Sequence, residues 1–311
     1  MPHILSLVSS PTASYPLAGT ASSNRGLSVT TRVAAPSAGL ELLEFPSLPI
    51  APPVPRIHAQ VGRYRLRLAS SSHDRDAACR LRFRVFNLEM GKGLDASYET
   101  GLDTYPYDPF CEHLLVEDQT QDNHLRRIIG TYRLQTGTTA AENLGYYSQQ
   151  EFDFAPYEHL RPEILELGRA SIDREHRTPE VLTLLWRGIA QYATDMQLRY
   201  LIGCSSLNTA DPREGWQIFR QLENYRAASE LQTRPTDAFF CPPEDAAAPE
   251  SPDAEQPRPP KLLKTYLAIG ARICSAPAWD REFGTIDFLT LMDLRSITSS
   301  ARNRFLAPLT Q

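Results

Sequence analysis

The sequence predicts a domain of the α/β (α+β) class, a sheet with helices packed against it. Three observations lead there: period-two alternation around residue 64, several short β-rich runs between 113 and 172, and one strongly marked helix beginning at 179. Tyr64, Leu66 and Leu68 alternate with Arg63, Arg65 and Arg67, as a half-buried strand requires. A helix follows, with Cys79, Phe83, Phe86 and Met90 as its core face, Arg80, Arg82 and Arg84 turned elsewhere, and Gly91 as the stop. The runs 113–117 and 127–135 flank a polar stretch and read as a hairpin, and 163–172 is a further strand. Thr178 then stands as N-cap and Pro179 at the first helical position, where its missing amide hydrogen costs nothing. Leu182, Leu185, Trp186, Ile189, Ala193 and Met196 form the apolar stripe of that helix. Beyond it the pattern predicts a strand over 200–207, a helix over 211–222 capped by Asp211, and strands over 262–273 and 285–291.

Of the 311 residues, 41% are hydrophobic, enough for a full core, and 22% are charged. The organisation predicted is one domain over 61–300 with a tail over 301–311. Residues 1–60 are rich in Ser, Ala, Pro and Thr and contain no acid before Glu41, so an extension without a packed core is expected. An organelle transit peptide is the other reading of so acid-poor a start. The stretch 227–260, with prolines alternating with acids from 242 onward, is expected to be a disordered surface insertion. Lys and Arg number 32 against 37 Asp and Glu, giving a net charge of -5, without the basic excess a nucleic-acid partner would need. Cys79, Cys111, Cys204, Cys241 and Cys274 are scattered and odd in number, which suits a reducing compartment better than a disulfide framework or a metal site. No apolar run approaches the ~20 residues of a membrane span. The expectation is a soluble, cytoplasmic protein.

Four places carry candidate chemistry. Glu166 and Arg169 in Glu166-Leu167-Gly168-Arg169 face opposite ways on a regular strand and converge only if Gly168 marks a bulge; otherwise both are solvated at a sheet edge. Arg174, His176, Arg177 and Thr178 surround a helix start that either suits a phosphate or is an ordinary capped turn. Asp103, Asp108 and Glu112 lie in a tyrosine-rich stretch fit for an ammonium group, or form a plain surface loop. Arg133 sits on the polar face of its strand, at the sheet surface or lining a cleft. Two decoys fail on geometry: His113 and Asp118 lie five apart on a strand and point to opposite faces, and Gly203-Cys204-Ser205-Ser206 lacks the closing glycine of a nucleophile elbow.

Taken in order, Leu81-Arg82-Phe83-Arg84-Val85-Phe86, Asp103 through Asp108, Glu112-His113-Leu114-Leu115-Val116, Gly130-Thr131-Tyr132-Arg133-Leu134, Glu166-Leu167-Gly168-Arg169 and Leu185-Trp186-Arg187-Gly188-Ile189 resemble the ornithine-lipid N-acyltransferases. Lys264-Thr265-Tyr266-Leu267 and Phe283-Gly284-Thr285 continue the likeness, which covers about 63–225 and 261–295. The resemblance implies an N-acetyltransferase-like fold with a mixed, mostly antiparallel central sheet, related to the acyl-homoserine-lactone synthases. It implies transfer of a 3-hydroxyacyl group from acyl carrier protein to the α-amino group of ornithine, with the acyl-phosphopantetheine as donor substrate and no permanent cofactor or metal. Other products of the same fold are an N-acyl amino acid or an acyl-homoserine-lactone signal; a catalytically silent acyl-carrier-binding module is the reading from another class.

The roles implied are Glu166 as base with Arg169 orienting it, Asp103 and Asp108 on the cationic part of the amino acid, Arg133 on its carboxylate, and Arg84 and Phe86 beside the substrate. Arg174, His176, Arg177 and Thr178 would hold the phosphopantetheine phosphate, and peripheral association with the inner membrane would suit the product. One departure bears on the donor: the loop from Arg174 to Pro179 has no glycine and Pro179 lacks an amide hydrogen, a poorer cradle for a pyrophosphate than for a single phosphodiester.

Overall fold

The computed structural model describes residues 55–243 and 256–297, with residues 299, 302 and 303. Nine strands form one sheet: β1 (His58–Val61), β2 (Tyr64–Leu68), β3 (Glu112–Asp118), β4 (Ile128–Thr136), β5 (Ile164–Ile172), β6 (Tyr200–Leu207), β7 (Arg272–Ile273), β8 (Ala278–Asp280) and β9 (Thr285–Asp293). Their order is β1-β2-β3-β4-β5-β6-β9-β7, with β8 also paired to β9. Neighbours run antiparallel except β5 and β6, which are parallel and are joined by the helix Pro179–Asp195. The mixed, mostly antiparallel sheet expected from the sequence is therefore the one observed.

Period-two alternation gives the sheet two unlike faces. Leu66, Leu114, Tyr132, Leu134, Leu165, Leu201 and Met292 form a dry layer with the long helix, which buries Val181, Leu184, Leu185, Trp186, Ile189 and Ala193. Thr178 caps that helix by accepting from the Val181 amide, with Pro179 in the first turn as the sequence predicts. The opposite face is covered by the helix Ser72–Phe83 and by the loops between strands.

Three expectations are corrected. The chain is already in the sheet at His58, where Ala59 pairs with Leu66 and is buried, inside the stretch assigned to the extension. Residues 227–243 are not a disordered insertion: Arg226, Thr233 and Phe240 bridge to Ile273, Ser275 and Ala278, and Ala227 and Cys241 are buried against the sheet edge. Residues 1–54, 244–255 and most of 298–311 lie outside the described residues. The segment read as a strand over 262–273 is mostly the helix Lys261–Ile269. Its β-rich composition hides a period of four, Leu263 and Leu267, ended by Gly270 at φ 121°, where a glycine meets no Cβ penalty. The hydroxyls of Tyr132 and Tyr266 share a hydrogen bond that ties this helix to β4.

The helix Ser72–Phe83 presents a different face from the one expected. Cys79 is buried as expected, together with Ala77, Ala78, Leu81, Val85 and Arg82, whereas Phe83 and Phe86 are half-buried and Met90 is exposed. It continues as a π-helical turn over Arg84–Glu89, with Met90 N–H donating to the Val85 carbonyl, and stops at Gly91. The widened turn shifts the side chains that follow, which is why a 3.6-residue periodicity misplaces Phe86 and Met90.

The parallel pairing of β5 and β6 ends at Glu166 and Ile202, and from there β5 pairs only with β4 and β6 only with β9. At the parting point a Cβ on residue 203 would run into the carbonyl oxygen of Leu167. Gly203→Ala is therefore expected to lower stability by about 2–3 kcal/mol, read as a shift of the urea midpoint; an unchanged midpoint would contradict the close approach of the two strands.

Candidate active site

Strand register places a row of polar side chains across one face of the sheet. His113 pairs with Arg133, Arg133 with Gly168, Gln135 with Glu166, Glu166 with Ile202, and Ser206 with Asp287, and paired residues share a face. Glu166 stands on β5 where it parts from β6, and Cys204 is two residues past its partner on that same face. The backbone edges of β5 and β6 that face each other beyond this point have no strand partner. The sheet thus forks between Gly168 and Cys204.

Glu166 is 3% exposed, and its carboxylate accepts from the backbone amides of Tyr147 and Ser148 at 2.9 and 2.8 Å. It makes no ion pair among the described residues. The bulge that was to bring Arg169 round is present, one residue later than expected: β5 gains a residue against β4 between Ser171 and Gly168, and Arg169 takes φ 54°. The turned side chain does not reach Glu166. Its guanidinium lies 3.4 Å from Asp103, 4.2 Å from the Tyr105 ring centre and 4.5 Å from that of Phe283, with Phe86 at 5.3 Å. The two residues meet only through Tyr147, whose amide serves Glu166 and whose ring lies 5.9 Å from Arg169.

Asp103 and Asp108 are not free to hold a substrate cation. Arg82, wholly buried, donates to Asp103 Oδ2 at 3.1 Å and to both oxygens of Asp108 at 2.9 and 2.7 Å, and also to the Asp103 carbonyl. Burial alone would raise the Asp108 carboxyl, but the bonds and charge of Arg82, with Arg133 behind it, hold it well below the usual carboxylate range. Arg82 is the residue that sequence reasoning turned outward. Arginine in a helix is ordinarily solvated, and only the pairing with carboxylates more than twenty residues away reverses that. Its helical phase, in register with Ala78 and Val85, was the signal available.

Arg133 is 3% exposed, 3.7 Å from Asp108 and held over the rings of Tyr107 and Tyr147 at 5.7 and 5.0 Å; its Nη1 has no hydrogen-bond partner. Arg84 stands apart from this group, paired with Asp173 at 3.2 Å near the start of the long helix. There the expected phosphate set is largely engaged. His176 is buried with Nδ1 3.1 Å from the Tyr64 hydroxyl, Arg177 is clamped on Glu89 at 2.5 and 2.7 Å, and the Thr178 hydroxyl caps the helix. Arg174 is exposed and has no ion pair among the described residues.

The described residues hold two groups of acidic or histidine side chains whose ligating atoms lie within 4.8 Å of one another: Asp173, Glu175 and His176 by the helix start, and Glu151, Asp280 and Asp287 in the interior. Burial holds the Cys204 thiol well above its ordinary range, helped by the carboxyls of Glu151 and Asp287, which works against the thiolate a nucleophile needs. His113 donates or accepts at the Asp108 carbonyl, 3.1 Å away, and Asp118 pairs with Arg63, so the two do not form a dyad.

Two outcomes follow from this packing. Arg82→Met takes from two buried carboxylates their nearest counter-charge, leaving only Arg169 and Arg133 farther off, and is expected to cost about 3–5 kcal/mol, measured by urea unfolding. Burial pushes the His113 imidazole down to about 4 from an ordinary 6.5, so between those values the unfolded chain takes up a proton the folded site excludes. Stability therefore falls as pH drops through that window, and His113→Gln should flatten that part of the stability curve.

The Acetyltransferase (GNAT) domain model matches residues 81–187, which take in Arg82, β3 to β5 and the first half of the long helix. The solved acyl-homoserine-lactone synthase LasI aligns over 80% of this chain and 98% of its own at 12% identity and a TM-score of 0.45, too loosely to bear on the site. Curated relatives are closer. The L-ornithine N(alpha)-acyltransferase of Rhodobacter capsulatus is 31% identical over 243 residues, 77% of this chain and 93% of its own length. That of Brucella abortus is 33% identical over 255 residues, 78% of this chain and 89% of its own. With a forked N-acetyltransferase-like sheet and this identity along most of its length, the chain belongs to the L-ornithine N(alpha)-acyltransferase family.

Proposed function

We propose that the chain transfers a 3-hydroxyacyl group from the phosphopantetheine thiol of acyl carrier protein to the α-amino group of ornithine, yielding the lyso precursor of ornithine lipid. The observation that carries this reading is Glu166, a buried carboxylate at the fork of the sheet, held by two amides and by no cation. An amine attacks a thioester only as the free base, so a group that accepts the ammonium proton at the point of attack is the first requirement. Glu166 takes that proton, directly or through one water.

The nitrogen then bonds to the acyl carbon, the oxyanion collapses, and the C–S bond breaks with the thiolate taking up a proton. An extended pantetheine arm, which carries two amide groups, fits between the unpaired edges of β5 and β6 as a strand would. The same unpaired edges supply amide hydrogens to the developing oxyanion. Arg133, whose buried Nη1 makes no hydrogen bond and stands 3.7 Å from Asp108, receives the α-carboxylate of the acceptor, a planar task for which guanidinium is suited.

Asp103 and Asp108 act by fixing Arg82, Arg169 and the Tyr105 loop, not by touching the acceptor. Arg169 and the half-buried Phe86 wall the acyl side of the cleft. Arg174, with Arg177 next to it, marks the outer mouth toward the acidic carrier. No helix of the described residues is long and apolar enough to cross a membrane, so an acylated product would leave at a membrane surface by peripheral association.

Glu166→Gln keeps shape and hydrogen bonding to one amide while removing the base. With acyl carrier protein charged by a 3-hydroxyacyl chain and ornithine as acceptor, free-thiol release is expected to slow about 100-fold or more in kcat, with KM for ornithine little changed. An unaltered kcat would remove Glu166 from the mechanism.

A further inference from the structure

A second feature of the same face is unclaimed by the chemistry above. Glu151, Asp280 and Asp287 are 2%, 5% and 3% exposed, and one carboxylate oxygen of each lies within 4.8 Å of the others. No lysine, arginine or histidine pairs with any of them among the described residues, while the other buried carboxylates on this face of the sheet are tied to arginines or amides. Glu151 Oε2 and Asp287 Oδ1 accept from no donor among the described residues, and the two carboxyls face each other. Three buried acids around unpartnered oxygens are costly to maintain unless a cation completes them.

The position of the group says which cation. Glu151 belongs to the same turn that holds Glu166: Ser148 donates its amide to Glu166 Oε1, and the Glu151 amide donates to the Ser148 carbonyl. Asp287 pairs with Ser206 on β6, on the same face as Glu166 and two strands away. Asp280 accepts from the amides of Glu282 and Phe283, which sets the Phe283 ring against Arg169. Charge along this face of the sheet thus runs from guanidinium at Arg133 through Glu166 to three carboxylates.

We propose that Glu151, Asp280 and Asp287 form the seat for the side-chain ammonium of a diamino acid acceptor. The inference rests on the functional reading above and adds what selects the acceptor. An amino acid spanning this gradient has its carboxylate at Arg133, its α-nitrogen at Glu166 and a second cation at the far end. Five bonds separate the two nitrogens of ornithine, about 6 Å when extended, a reach suited to neighbouring elements of one face. Burial, with the charges of Asp287 and Asp280, pushes the Glu151 carboxyl well above its ordinary range, and burial pushes Asp287 up to about 6. A proton therefore stands in for the cation when the seat is free, and an arriving ammonium replaces it. A divalent metal fits less well, because Asp280 Oδ1 is spent on two amides and Asp287 Oδ2 receives the Thr285 hydroxyl, leaving few of the six or more oxygens such ions take.

The test compares kcat/KM for L-ornithine and L-norvaline, which differ only in the terminal amine, using the full chain, its Glu151→Gln and Asp287→Asn variants, and one acyl thioester donor. The wild type should prefer ornithine by about 100-fold or more, and each folded variant should lose at least about tenfold of that preference. In the wild type alone, n-propylammonium should compete with ornithine and not with norvaline, which needs no variant to fold. An equal kcat/KM for the two acceptors, a preference untouched in folded variants, or loss of ornithine use with a chelator and its return with Mg2+ or Mn2+ would each overturn the seat. Turnover of neither amino acid by the wild type would instead remove the functional reading itself, and the seat with it.

Discussion

Two parallel strands share hydrogen bonds as far as Glu166 and Ile202 and then part, and the candidate site stands at that parting. β5 is turned aside by the bulge at Arg169, where φ of 54° for a residue with a side chain marks backbone held by its surroundings. Those surroundings are identifiable: Asp103 at the guanidinium, and Tyr105 and Phe283 around it. β6 is held away by its long antiparallel pairing with β9, from Tyr200 to Leu207. The fork is thus a property of the sheet's pairing, built with no loop that must close over it.

Charge is arranged around the fork with the same economy. Arg82 neutralises two acids that a cleft full of arginines would otherwise need elsewhere, and its full burial fixes the loop carrying Tyr105 and Tyr107. Glu166, in contrast, is held by the amides of Tyr147 and Ser148 and makes no ion pair among the described residues. The distinction separates carboxylates tied to arginine from the one for which the proton-accepting role is proposed. The Acetyltransferase (GNAT) domain match ends at residue 187, before β6 and β9 supply Cys204 and Asp287, so the far wall of the cleft comes from the later part of the chain.

Much of this was legible in the sequence, and the failures share a cause. The strands at 64–68 and 200–207, the capped helix after Thr178 and the bulge near Gly168 follow from local rules, because alternation, capping and glycine placement act over a few residues. Arg82 was turned away from the core face and Asp103 and Asp108 were given to the substrate, since their pairing joins positions that no local pattern connects. His176 likewise seemed available at a helix start until Tyr64, 112 positions earlier, was seen to claim its ring nitrogen. The helix over 261–269 was hidden by β-rich composition, and the proline-bearing stretch at 227–243 by the assumption that proline excludes bridging at a sheet edge, where its missing donor is tolerated.

A crystal structure of the chain with ornithine and a non-hydrolysable pantetheine thioether tests the fork most directly. The account predicts the pantetheine arm between the edges of β5 and β6, and the α-nitrogen of ornithine within about 3.5 Å of Glu166 or of a water on it. An arm lying outside the fork, with the amine remote from Glu166, would contradict it.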